Sequence, residues 1–377
     1  MNEASSMGAG RPSVWVILLA GGRGTRFWPV SRASHPKQLL RFFGDKTLLR
    51  GTWDRFAATV PKERILVVTG PAYADATRRE LPELSAANLI LEPSGRDTAP
   101  AIALAMREVQ ARDADAVCVV APTDHFIADQ KAFAAALDAG IAAAAWGSLV
   151  TLGITPDRPA TVYGYIETSR KTGTGTGAVA ALPAARFHEK PDLDDARRYL
   201  ASGRFFWNAG LFVWSAARFD ASLAQAAPAL AAAVGALPDY AAPGGAGHEA
   251  FAEAWSRVPS ISIDYALMEK ATGIVVVPLA AGWSDLGGWD AVRELLPADA
   301  DDNRPSPDVA YVRSRACSVH RAPGSPGGAR RLYALVGVED LVVVETDDAV
   351  LICKEGSGEA LRELVSRLRS EGREDLL

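Results

Sequence analysis

The chain predicts an α/β fold with a mostly parallel, mixed sheet, followed by a small C-terminal β domain. Three observations carry this expectation. Short apolar, β-rich runs alternate with helix-like runs across residues 14–154, giving a βαβαβαβ pattern. Those strand runs are nearly continuous in hydrophobic residues, as strands covered on both faces are, rather than alternating apolar with polar. A polar, proline-containing break, Asp301-Asp302-Asn303-Arg304-Pro305-Ser306-Pro307, then separates a tail of short strands and turns.

Taken in order, the first strand covers residues 14–20 and the first helix residues 47–58, followed by a strand over 65–69 and a helix over 73–84. A strand at 89–92 precedes a helix at 98–112, where Asp97 or Thr98 caps and Pro100 sits in the first turn, the one place where a missing N–H costs little. The strand 116–121, an alanine-rich helix over 131–146 and a strand over 149–154 complete the alternation. Beyond Thr155 the pattern shortens into strands at 163–168, 186–190 and 205–214, read as a mixed β region over the sheet. Lys-Thr-Gly-Thr-Gly-Thr-Gly at 171–177 reads as a hairpin tip. Helical runs follow at 215–236 and 263–271, then a strand at 274–279. The tail carries strands at 333–336, 341–344 and 349–353 and an amphipathic helix over 359–369. This gives residues 1–12 as a flexible N-terminus, 13–300 as the main domain and 301–377 as a small β domain with a terminal helix, β-helical in one reading.

Composition narrows the function classes. Forty Lys and Arg against 45 Asp and Glu give a net charge of −5, so no broad basic face invites nucleic acid or an anionic membrane. Any anion binding must be local. Three cysteines, Cys118, Cys317 and Cys353, form no C-x-x-C pair, which excludes a disulfide scaffold or a cysteine zinc site and suits a reducing compartment. No run is apolar and long enough to span a bilayer, and the N-terminal apolar run is too short for a signal peptide. The expectation is a cytoplasmic protein.

The densest chemical signal is Leu19-Ala20-Gly21-Gly22-Arg23-Gly24-Thr25-Arg26-Phe27-Trp28-Pro29, with Pro36-Lys37-Gln38 soon after. Glycines closing a strand leave backbone N–H groups free for anionic oxygens, and Arg23, Arg26 and Lys37 add charge. Phe27 stands where a dinucleotide fingerprint needs its third glycine, and no Gly-Lys-Ser/Thr follows Gly24, so neither a nicotinamide dehydrogenase nor a P-loop fits.

Two aspartates supply the complement. Asp124 follows the strand 116–121 in Pro-Thr-Asp-His, and Asp285 follows the strand 274–279 in Gly-Trp-Ser-Asp-Leu-Gly-Gly-Trp. Either alone reads best as a cap or turn former. Together with a basic glycine loop, and without any nucleophile-plus-base motif, they point to metal-assisted phosphoryl chemistry. His125 lacks an orienting partner in its local sequence and is read as structural. Glu92-Pro93-Ser94-Gly95-Arg96-Asp97-Thr98 serves helix initiation or contacts a base or phosphate, and both readings stand. Glu189-Lys190-Pro191 and Trp207-Asn208-Ala209-Gly210 mix carboxylate, ammonium and amide with aromatics, a set suited to a phosphorylated sugar.

These motifs, in this order, resemble the sugar-phosphate nucleotidylyltransferases, and within them the mannose-1-phosphate guanylyltransferase branch. Leu152-Gly153-Ile154, Tyr163-Gly164-Tyr165-Ile166-Glu167 and Ile263-Asp264-Tyr265-Ala266 extend the match. The resemblance implies a Rossmann-like nucleotidyltransferase domain that joins GTP to mannose 1-phosphate, releasing diphosphate. It implies Mg²⁺ held by Asp124 and Asp285, with Arg23, Arg26 and Lys37 gripping the triphosphate. Ala20, Gly21, Gly22, Gly24 and Thr25, with Pro93, Gly95 and Arg96, would surround the nucleotide. Gly153, Gly164, Glu189, Lys190 and Asn208 would hold the sugar phosphate. It further implies a homodimer without nucleic-acid or membrane partners and, since the chain ends at Leu377, no appended isomerase domain. Val162 replaces a glycine common before Tyr-Gly-Tyr-Ile, and Asp97 a common asparagine. The alternatives are a nucleotidylyltransferase for another base or sugar 1-phosphate, or a catalytically silent GDP-mannose sensor.

Overall fold

The computed structural model describes residues 12–22, 24–169, 180–322 and 331–377. The expected N-terminal segment up to residue 11, Arg23 and the glycine-threonine run at 171–177 lie outside them. The elements are β1 (Val14–Leu19), α1 (Leu48–Ala57), β2 (Ile65–Thr69), α2 (Ala74–Glu80), β3 (Leu89–Leu91), α3 (Thr98–Gln110), β4 (Val117–Pro122), β5 (Phe126–Ile127), α4 (Gln130–Ala145), β6 (Leu149–Ile154), β7 (Tyr165–Thr168), β8 (Leu182–His188), α5 (Leu193–Ser202) and β9 (Phe205–Ser215). After these come α6 (Ala216–Ala226), α7 (Pro228–Gly235), α8 (His248–Ser256), a π-helical turn at Asp264–Met268, β10 (Ile274–Pro278), β11 (Trp283–Ser284), α9 (Trp289–Leu295), β12 (Val309–Val312), β13 (Ser318–Arg321), β14 (Tyr333–Val336), β15 (Leu341–Glu345), β16 (Val350–Lys354) and α10 (Gly358–Ser370).

By their contacts the residues form two compact units. One gathers residues 1–21, 53–123 and 127–283; the other gathers 22–52, 124–126 and 284–377. The first unit holds a nine-stranded sheet in the order β3-β2-β1-β4-β9-β6-β10-β8-β7. β1 is parallel to both β2 and β4, with Leu19 opposite Pro122, so β1 and β4 end level with each other. Strands of a sheet buried on both faces need no polar alternation, and Val16, Ile17, Leu18, Val119 and Val120 are fully buried.

The strands after Thr155 do not lie over the sheet, as their pattern suggested. They extend it, and β9 inserts antiparallel between β4 and β6. The reason is visible in β9, where Phe206, Phe212 and Trp214 join the main core. A strand that apolar cannot remain at a solvated margin. The single helical run expected at 215–236 is two helices, because Pro228 has no N–H to donate and disfavours helix at Ala227. The run 263–271 is a π turn over Asp264–Met268. Three helices went unread: α5, begun by the Asp192 side chain accepting from Asp195 N, α8, and α9.

The second unit has its own core, where Phe27, Trp28, Leu40, Trp289, Val342, Val344 and Leu361 pack. Its short strands pair in parallel, β12 with β14 and β13 with β15, and β16 closes the latter sheet antiparallel. Parallel pairing of four- and five-residue strands separated by turns agrees with the β appendage expected from the tail.

Candidate active site

In the second unit the glycine loop folds onto the segment that carries Asp285. Gly24 has φ +61°, and a Cβ there would stand 2.6 Å from the Lys37 Cβ and 2.9 Å from its backbone nitrogen, so only glycine fits. Ser31 Oγ pins this turn by donating to the Gly24 carbonyl at 2.6 Å. Thr25, Arg26 and Phe27 form a short 3-10 turn in which Phe27 is buried against the Trp289 edge, and Arg26 Nη1 lies 3.4 Å from the Gly287 carbonyl.

Lys37 is the hub. Its ammonium donates to Asp124 Oδ2 at 2.9 Å and to the Asp285 carbonyl at 2.5 Å. One side chain thus links two aspartates that stand 161 positions apart in the sequence. Burial opposes ionisation of Asp124, but the charge and hydrogen bond of Lys37, with His125, outweigh it and hold the carboxyl below its ordinary range. His125 Nε2 is 3.9 Å from Asp124 Oδ1, which supports the structural reading of that histidine. A glycine at 287 keeps the space beside Asp285 open, since a Cβ there would come within 3.5 Å of both its carboxylate oxygens and 3.9 Å of Arg26 Nη1. Among the described residues no group of three or more His, Cys, Asp or Glu could hold a metal. Two hard carboxylates suit a small divalent ion whose remaining ligands are phosphate oxygens and water.

The first unit contributes the other groups. Ala20 N donates to the Val68 carbonyl at 2.8 Å and the Ala20 carbonyl accepts from Thr69 Oγ1 at 2.7 Å, so its backbone is spent on the fold, while Gly21 is exposed. The loop 93–98 is braced: Trp255 Nε1 donates to the Ser94 carbonyl at 2.8 Å and Arg96 Nη1 to the Val258 carbonyl at 2.9 Å. Arg96 Nη2 also reaches the Ser256 carbonyl, placing the guanidinium at the C-terminal end of α8. Arg96 therefore serves as a brace in this structure. Asp97 caps α3 at φ +69° and Thr98 Oγ1 accepts from Ile263 N at 2.9 Å. Glu92 is pushed up to about 7 by burial and by the charge of Asp97.

The sugar-side residues come together around β9. Lys190 Nζ is 2.8 Å from Glu189 Oε1, and the Glu189 backbone N–H donates to Glu269 Oε1 at 2.9 Å. Gly164 is required by this carboxylate, because a Cβ there would stand 2.5 Å from Glu189 Oε2. Gly153 has a different reason. A Cβ at 153 would collide with Val276 Cγ2 and stand 2.8 Å from Phe206 Cβ, so packing alone demands it. Asn208 is fixed by Thr151 Oγ1, which donates to its Oδ1 at 2.8 Å, and its Nδ2 donates to Asp264 Oδ1 at 2.9 Å. Asp264 had been given no role from sequence. Its signal was a lone carboxylate opening an otherwise buried turn of Ala266, Leu267 and Met268.

Comparison with known proteins decides the family. Residues 15–302 match the Nucleotidyl transferase family. The chain belongs to it. Residues 327–368 of this nucleotidyl transferase match the MannoseP isomerase/GMP-like beta-helix domain. It is 42% identical over 365 residues to the xanthan biosynthesis protein XanB of Xanthomonas campestris pv. campestris, covering 95% of this chain and 74% of that protein. It is 36% identical to a mannose-1-phosphate guanylyltransferase of Escherichia coli K12, covering 96% of this chain and 75% of that one. A crystal structure titled mannose-1-phosphate geranyltransferase, from Thermus thermophilus, aligns with a TM-score of 0.81 and 33% identity over 95% of this chain and 99% of that one. The protein is a nucleotidyltransferase enzyme, of a family that generally uses a divalent metal. No described helix is long and apolar enough to cross a membrane.

Proposed function

We propose that the protein is a mannose-1-phosphate guanylyltransferase, converting GTP and α-D-mannose 1-phosphate into GDP-mannose and diphosphate. The observation that carries the reading is the Lys37 ammonium bonded to both Asp124 and the Asp285 backbone, with Arg26 on the same segment. That arrangement handles phosphate and metal, and among its described residues no serine, cysteine or histidine is placed as a nucleophile. The 36% identity to an enzyme of that name supports the choice of substrates.

A phosphate oxygen of the sugar phosphate is already ionised near neutral pH, so it attacks the α-phosphorus without a dedicated base. The bond from that oxygen to phosphorus forms as the bond to the β-phosphate oxygen breaks, and the electron pair leaves with diphosphate. Arg26 and Lys37 hold the triphosphate, Arg23 with them, and the exposed backbone of Gly21 and Gly22 lies against the nucleotide. Lys190, Glu189 and Asn208 orient the sugar phosphate. Mg²⁺, held by Asp124 and Asp285, would neutralise charge on the α-phosphate and on the departing diphosphate. Residues 13–300 form the catalytic domain in this reading and 301–377 the appendage, whose exposed Val312, Val336, Val350 and Ile352 suit a homodimer contact.

The test is diphosphate release from four nucleoside triphosphates, each with several hexose 1-phosphates. GTP with mannose 1-phosphate should give the highest kcat/KM. Any other best pair overturns the substrate assignment.

A further inference from the structure

Asp264 lies outside every group assigned to substrate so far, yet three features single it out. It opens a π-helical turn in which the Glu269 N–H bonds to the Asp264 carbonyl at 3.0 Å, five residues back. Such turns are rare and concentrate at functional sites. Second, the amide of Asn208 has no choice of orientation. Its Oδ1 accepts from Thr151 Oγ1 at 2.8 Å and from Gly210 N at 3.1 Å, which leaves Nδ2 to donate to Asp264 Oδ1 at 2.9 Å. Third, Asp264 faces a second carboxylate. Glu189 has a side chain only 7% exposed, and its partner Lys190 supplies one ammonium for two acidic groups.

Burial, then the nearby Glu189, push the Asp264 carboxyl up to about 7 against the pull of Lys190. A part-buried pair of acceptors with too few donors costs stability in the empty protein. It regains that stability when a ligand brings donors. Cations are poor candidates, since Lys190 already stands beside the pair. Hydroxyl groups on a sugar ring are uncharged donors, and a carboxylate accepts them with stronger hydrogen bonds than a neutral group makes.

We infer that Asp264 is a specificity-determining residue, accepting a ring hydroxyl of the sugar 1-phosphate beside Glu189, while Thr151 and Asn208 fix its direction. This rests on the proposed substrate reading and adds to it a residue that selects among hexoses. Asp264 takes no part in bond making, so its removal weakens sugar binding without touching the nucleotide.

The experiment measures steady-state kinetics of the full chain and of Asp264→Asn with GTP and mannose 1-phosphate, then with its 2-, 3- and 4-deoxy analogues. Asp264→Asn should raise KM for mannose 1-phosphate on the order of tenfold or more, the worth of a hydrogen bond to a charged group. The KM for GTP should not move. For the analogue lacking the hydroxyl that Asp264 accepts, the penalty should vanish, because both partners of that bond are then gone. An equal penalty on all analogues, or none on mannose 1-phosphate, overturns the inference. Asp264→Ser and thermal unfolding of each variant separate misfolding from lost recognition, since the analogue-specific pattern must survive in both variants. If the wild-type protein turns over no mannose 1-phosphate at all, the substrate reading fails first, and GTP with other hexose phosphates reports the same pattern for Asp264.

Discussion

Two carboxylate groups in this molecule are wired in opposite senses. In the unit that carries the glycine loop, Asp124 is bound by Lys37 and held below its ordinary pKa, so it stays charged. In the sheet unit, Asp264 is raised to about 7 by burial and by Glu189, so its charge is marginal near neutrality. The residue type is the same and the difference lies in what surrounds it. A permanently ionised carboxylate beside a cation suits phosphate and metal, whose charges must be balanced. A carboxylate balanced near its own titration suits a neutral ligand that brings hydrogen-bond donors.

The largest break in this contrast comes from the charged side. Replacing Asp124→Asn or Asp285→Asn should lower kcat/KM for diphosphate release on the order of a hundredfold or more, comparable with the loss of a preorganised electrostatic group. Thermal unfolding should show both variants folded. Turnover within a few-fold of wild type would remove either residue from the metal and phosphate assembly.

The marginal side is broken by pH. The Asp264 carboxyl is raised in the folded protein, so its favourable contribution is full in acid, below the unfolded value, and is lost as pH rises through about 7. The groups facing it are Glu189, Lys190 and Asp97. Asp264→Asn copies the protonated form and cannot ionise. Its Tm relative to wild type should therefore climb by a few degrees between pH 5 and pH 8. A difference that stays flat across that range would mean the carboxylate is solvated in the folded state.

How much of this was legible in the sequence follows the same division. The alternation of buried strands and helices was readable because burial on both faces leaves long apolar runs, as in β2 and β4. The insertion of β9 between β4 and β6 was not, since an apolar strand carries no mark of its neighbours. Gly24, Lys37, Asp124 and Asp285 announced themselves as charge and glycine at strand ends. Lys37 joining both aspartates did not, because that contact spans 87 residues to Asp124 and 248 to Asp285. Gly153 and Gly164 were singled out together, yet one makes room for Val276 and Phe206 and the other for Glu189. Asp264 was hidden because a π turn has no sequence period of its own.

Arg96 offers the smallest effect and the finest test of how a cation is used. From sequence it was a candidate for phosphate or base contact; in the structure its guanidinium donates to the carbonyls of Val258 and Ser256 at the end of α8. Those carbonyls have no helical partner, so the arginine satisfies acceptors that would otherwise turn to water. Arg96→Ala should then lower stability by about 1 kcal/mol, the usual net worth of such hydrogen bonds, and raise the KM for GTP only a few-fold through a loosened loop at 93–98. Lysine at 96 would keep the charge but not the two-pronged contact. If Arg96→Lys restores GTP binding without restoring Tm, the charge itself meets the nucleotide. If both stay lowered together, Arg96 acts by bracing, and the triphosphate is left to Arg26 and Lys37.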